Sequence, residues 1–154
     1  MRWKVAGFFA ALSLAFLVAQ RWPASQALTG PGIIRVTDRE IRHLQLDNGQ
    51  RGLTAGDVEI TRSLLFNKRI TPKAIGHGEL VCTHVTRSLR VCTGTYVLPK
   101  GKLVVGGTVL YRQLFQLAVL GGTGLYDNVS GTLTATLLGE RPQRESVLVF
   151  RLTV

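Results

Sequence analysis

The chain has 154 residues, with 19 Lys and Arg against 9 Asp and Glu and a formal net charge of +10. That length fits one domain with or without a short tail, and it excludes a large multidomain enzyme. A hydrophobic share of 45% and a mean hydropathy of +0.20 exclude global disorder, while 18% charged residues is too few for a bare nucleic-acid-binding arm.

The first element is a leader. Met1-Arg2-Trp3-Lys4 is a short basic start, and Val5 to Ala19 follow with no charge and only Ser13 polar. Gln20, Arg21, Trp22 and Pro23 break the apolar run, and Ser25-Gln26-Ala27 places small residues where a signal peptidase reads. This is the three-part layout of a secretory signal, with an apolar core short for a membrane span. No cysteine near the cut suggests a lipid anchor, and Arg2 lacks the neighbouring Arg of twin-arginine export. The sequence therefore predicts a signal peptide over residues 1–27, a single domain over 28–154, and a secreted or cell-envelope location. An uncleaved anchor, for which the unusual Arg21 speaks, is the alternative and the sole membrane attachment the sequence suggests. Without Arg2, Lys4 and Arg21 the charge balance becomes 16 basic to 9 acidic residues, a net +7.

From residue 28 onward the chain reads as all-β. It holds 35 Val, Ile and Thr against 13 Ala, Glu and Lys, and β-branched residues suit a pleated surface while the second group favours helices. Eight strand-like segments follow in order: Ile33–Leu46, Asp57–Asn67, Glu79–Val85, Arg90–Leu98, Lys102–Gly106, Gln113–Leu120, Val129–Leu138 and Ser146–Val154. Alternation is clear in Thr132–Leu137 and in the face formed by Leu148, Phe150, Leu152 and Val154. Turn residues at Asp47-Asn48-Gly49, Pro99-Lys100-Gly101 and Gly121-Gly122-Thr123-Gly124 separate the segments. Short, even spacing predicts an antiparallel meander, which eight strands can close into a barrel or fold into a two-sheet sandwich, and periodicity does not separate the two.

Cys82 and Cys92 are the only cysteines, and a single pair in an exported chain is expected to oxidise. Pairing the third and fourth strands around Arg87 sets the two residues opposite one another. A metal site from His77, Cys82, His84 and Cys92 is the competing arrangement, but no CxxC or HxxxH spacing supports it. No metal is therefore expected.

Other constellations were weighed along the chain. Ala118 to Gly124 looks like the opening of a nucleotide fold, yet a strand-like Ser130-Gly131-Thr132-Leu133-Thr134 follows where a helix is needed. No GxSxG elbow or triad is present. Asp57 and Glu59 share a strand face and could do acid/base work, or pair with neighbouring Arg. Arg62 falls in phase with Val58, Ile60, Leu64 and Phe66. There it could line the barrel and hold an anionic or carbonyl-bearing ligand, or sit at a rim with its head in water. Tyr111, Arg112 and Tyr126 are further candidates for the pocket mouth, or else plain turn residues, and Tyr96, in phase with Cys92, reads as packing. Dispersed arginines without an aromatic platform argue against nucleic acid as a partner. Asn128-Val129-Ser130 is a glycosylation sequon.

Gly121-Gly122-Thr123-Gly124-Leu125-Tyr126, followed by Gly131 and an alternating strand, resembles the GGTGxY…G signature of dirigent proteins and the allene oxide cyclase barrel superfamily. Gly56-Asp57-Val58 and the paired Cys strands are similar to features of bacterial secreted members. The resemblance implies an eight-stranded antiparallel barrel, often a homotrimer, holding a small apolar or phenolic ligand without metal or nucleotide. It also implies an isomerase-like or dirigent-like activity, in which confinement steers a cyclisation or a coupling. The acidic and amide residues of the plant cyclase site have no match in Arg35-Val36-Thr37-Asp38-Arg39. The second function class consistent with the sequence is a non-catalytic basic module that binds anionic cell-surface polymers or lipids.

Overall fold

A computed structural model describes residues 32–49, 51–67, 73–110, 114–139 and 144–153. The expected leader over residues 1–27, together with Tyr111 and Arg112, lies outside the described residues. The strands are β1 (Ile33–Leu46), β2 (Val58–Phe66), β3 (Gly76–His84), β4 (Leu89–Leu98), β5 (Gly101–Leu110), β6 (Leu114–Gly124), β7 (Ser130–Leu138) and β8 (Glu145–Thr153). Each pairs antiparallel with the next, and β8 pairs with β1. The sheet thus closes into a barrel, and no strand is left as a sheet edge.

The interior divides into two halves. Toward the β4–β5 and β6–β7 turns it is a packed apolar plug in which Leu65, Leu103, Val105, Leu133 and Phe150 are fully buried. Each such side chain contributes about 1.5–3 kcal/mol relative to exposure. Tyr96 meets Phe150 edge to face, with ring centroids 5.4 Å apart, and caps this plug. Beyond Tyr96, toward the opposite end, the inward positions turn polar.

Two local devices set which side chains face in. Register between β1 and β2 shifts across Glu40 and Arg42, so Ile41 forms a bulge. Inward alternation therefore resumes with His43 opposite Thr61, and the two share a contact of 3.4 Å. Such bulges re-aim side chains at barrel rims. In β3, a β-carbon on Gly78 would stand 2.7 Å from the Tyr96 ring and 2.9 Å from Ser63 Oγ, so the absence of one makes room for Tyr96.

The glycine run does not form the turn expected at Thr123-Gly124. Gly121 to Gly124 complete β6, and the turn is Leu125–Asn128, with Asn128 in the left-handed region at φ 58°. Gly124 keeps a conformational role as the last residue of β6. Its φ is +67°, and a β-carbon there would run into the Lys100 carbonyl of the β4–β5 turn.

Candidate functional site

The polar end of the barrel encloses a cavity of about 60 Å3, partly open to solvent. Asp38 and Glu40 of β1, Glu59 and Ser63 of β2, Arg90 of β4 and Arg144 beside β8 supply its polar wall. Leu80, Phe115, Leu137 and Leu148 supply its apolar wall, and Cys82 and Tyr96 also face it.

The innermost charge is Glu59, with a side chain only 5% exposed. Arg90 Nη1 lies 2.5 Å from Glu59 Oε2, and His84 Nε2 lies 3.2 Å from Oε1. The other ring nitrogen of His84 faces the Thr86 carbonyl at 3.4 Å. A carboxylate taken out of water at this depth is sustained only by such pairing. Glu59 is thereby committed to two partners and orients Arg90 along the cavity wall.

Asp38 is the contrasting acid. Burial pushes its carboxyl up to about 6, a hydrogen bond with Ser63 opposes that shift, and the negative charge of Glu40 adds to it. Asp38 Oδ1 has no hydrogen-bond partner among the described residues. The Tyr96 phenol is pushed up by burial and secondarily by the Asp38 charge, so it stays protonated. Together they offer a carboxyl that can exchange a proton near neutral pH and a phenol able to donate a hydrogen bond.

The Cys82–Cys92 disulfide forms as expected between β3 and β4, with the residues directly opposite in register and Cα atoms 4.0 Å apart. It cross-links the strands that carry His84 and Arg90. Asp57 lies outside the cavity. Its carboxylate accepts from the Asn48 N–H at 2.9 Å and the Thr54 N–H at 2.6 Å, pinning the β1–β2 loop, and those bonds hold its pKa below the usual carboxylate range.

The other sequence candidates are dispersed. Arg62 projects from the outer wall with its side chain 54% exposed and pairs with Glu79 at 3.5 Å. Val58, Ile60 and Leu64 share that outer face, while Glu59, Thr61, Ser63 and Leu65 point inward. The apolar phase of β2 is thus the outside of the barrel, because the inside at this end is polar. Tyr126 is buried at the far end, in the β6–β7 turn. Asp38, Glu40, Arg90 and Arg144 escaped the sequence reading. Their signal is faint but present: Asp38 and Glu40, then Glu59, Thr61 and Ser63, are polar runs of period two inside strands.

No family model and no curated protein sequence matches the chain. Solved structures do match. A pyocyanin demethylase superposes with a TM-score of 0.68 over 79% of this chain and 99% of its own, at 22% identity. A pterocarpan synthase dirigent protein gives 0.66 over 85% and 93%, at 11% identity. The Diels Alderase AbmU from Streptomyces koyangensis gives 0.62 over 79% and 64%, at 13% identity. The chain therefore shares its barrel fold with dirigent proteins and with barrels that act in cyclisation. At these identities the likeness is one of fold.

Proposed function

We propose that the chain is an extracytoplasmic ligand-steering barrel of the dirigent and allene oxide cyclase type. It takes the polar head of a small apolar or phenolic molecule at Asp38, Tyr96 and Arg90. The observation that carries this reading is Asp38, a carboxyl with pKa near 6 whose Oδ1 has no partner among the described residues, in a cavity that sets a polar wall against the apolar Leu80, Phe115 and Leu137. An acid whose pKa is perturbed by burial and a neighbouring charge in a cleft is a functional-site candidate. The disulfide supports an oxidising compartment.

Size constrains the ligand. The cavity of about 60 Å3 is under half the ~150 Å3 of an engineered cavity that takes benzene. The barrel thus grips a single carbonyl or phenolic hydroxyl group, and the remainder of the molecule, any ring included, extends through the mouth. The protonated Asp38 carboxyl gives its proton to a carbonyl oxygen as charge develops there, and the resulting carboxylate takes a proton back from the rearranged product. Arg90 stabilises negative charge during the exchange, and the apolar wall orients the reacting carbons. No resident cofactor is needed for such a step.

Thermal shift with a panel of phenols and oxylipins tests the proposal. A specific stabilisation that is insensitive to salt and lost in Asp38→Asn supports it. Salt-sensitive retention on an anionic polymer, with no small-molecule shift, would instead favour the basic binding module.

A further inference from the structure

The end of the barrel opposite this cavity carries a larger recess. A solvent-open cleft of about 640 Å3 lies where β1 starts, β4 ends and the β6–β7 turn folds over. That volume is within the roughly 300–1,000 Å3 of small-molecule sites. The fully buried Leu103, Leu133 and Phe150 of the apolar plug separate it from the polar cavity. The two spaces are independent.

The chemistry of the wall is specific. Ile34, Ile75, Leu98 and Leu125 give it an apolar floor, and Arg35 and Lys100 are its charged residues, with no Asp or Glu among the described residues that line it. Asp127, the acid of the adjacent turn, is directed back onto Asn128, at 3.1 Å from that backbone nitrogen. The turns bearing Lys100 and Tyr126 are tied together, since the Leu125 N–H donates to the Lys100 carbonyl at 2.9 Å. Burial raises the Tyr126 phenol, which keeps it a neutral donor. A floor of aliphatic carbon beside two cations favours an anionic amphiphile over a neutral or a cationic one.

We propose that this cleft is a second ligand site for an amphipathic carboxylate, with the head group at Arg35 and Lys100 and the apolar body on Ile34, Ile75, Leu98 and Leu125. Methyl NMR of the folded protein titrated with decanoate, decanol and decyltrimethylammonium tests it. Decanoate is expected to move the methyl signals of Ile34, Ile75, Leu98 and Leu125 while leaving Leu80 and Leu137 unmoved. Reversing both charges with Arg35→Glu and Lys100→Glu should weaken decanoate roughly tenfold or more and favour the cationic probe. Arg35 and Lys100 are exposed, so the double variant should fold, and unchanged signals elsewhere in its spectrum confirm that. The proposal is overturned if millimolar decanoate leaves the cleft methyls unmoved, if its shifts fall instead on Leu80 and Leu137, or if the double variant binds it equally well.

Discussion

Arg90 reaches from β4 to Glu59 on β2 and closes to 2.5 Å, with both side chains withdrawn from solvent. On the outer wall, Arg62 and Glu79 stand 3.5 Å apart with more than half of each side chain in water. The same pairing of charges thus occurs in two dielectric settings. Glu59→Ala removes the carboxylate that both the buried Arg90 and His84 engage and should destabilise the fold by about 3–5 kcal/mol. Arg62→Ala should stay within about 0.5 kcal/mol of the parent. Denaturant midpoints check both values, and equal costs would show that the two pairs face the same environment.

Asp38 links the cavity to pH. Its carboxyl titrates near 6 in the folded protein and near 3.8 when unfolded, burial being the main cause. Below pH ~4 both states are protonated and the group costs nothing. As pH rises through the folded value, the buried carboxyl must ionise and stability is lost. Asp38→Asn removes that loss, so the variant should gain on the parent by about 1–3 kcal/mol between acid and neutral pH. A stability difference that does not vary with pH would contradict the buried placement.

The disulfide closes a short loop, with a sequence separation of 10. In the chain-entropy model its loss should cost roughly 3 kcal/mol. Cys82→Ala with Cys92→Ala should show that cost in a denaturation curve, and should also loosen the strands that position His84 and Arg90. Alkylation of exported protein without reductant should leave both cysteines unlabelled.

Gly124→Val meets two obstacles, the positive φ of +67° and the Lys100 carbonyl. It should destabilise by about 1–3 kcal/mol. Asp57→Ala acts elsewhere, releasing the amides of Asn48 and Thr54, whose hydrogen exchange should accelerate while that of β5 stays slow. Acid should mimic Asp57→Ala, because a carboxyl with a lowered pKa gives its stabilisation above the unfolded value and loses it as pH falls.

The eight strands and the Cys82–Cys92 pairing were legible from strand spacing, turn residues and opposed positions in a hairpin, whereas closure into a barrel in place of a sandwich rests on the resemblance carried by the glycine signature. The orientation of β2 was not legible. Alternation defines two faces, but hydrophobicity tells inside from outside only where the inside is apolar, and around Glu59 and Ser63 it is not. Val58, Ile60 and Leu64 therefore looked like core while forming part of the outer wall, and Arg62 went outside with them. The glycine signature was located correctly but shifted in role, since Gly122 lies within β6 at a close approach to the Lys102 carbonyl. Asp38, Glu59 and Arg90 come from three strands, and only the barrel register brings them together.

The polar cavity as a ligand site is tested most directly by a crystal structure of the protein soaked with the phenol or oxylipin that gives the largest thermal shift. The polar head should lie between Asp38 and Arg90 within hydrogen-bond reach of the free Asp38 oxygen, with its apolar body against Phe115 and Leu80. Ligand density confined to the outer wall around Arg62, with the cavity unchanged, would contradict the proposed role of the barrel interior.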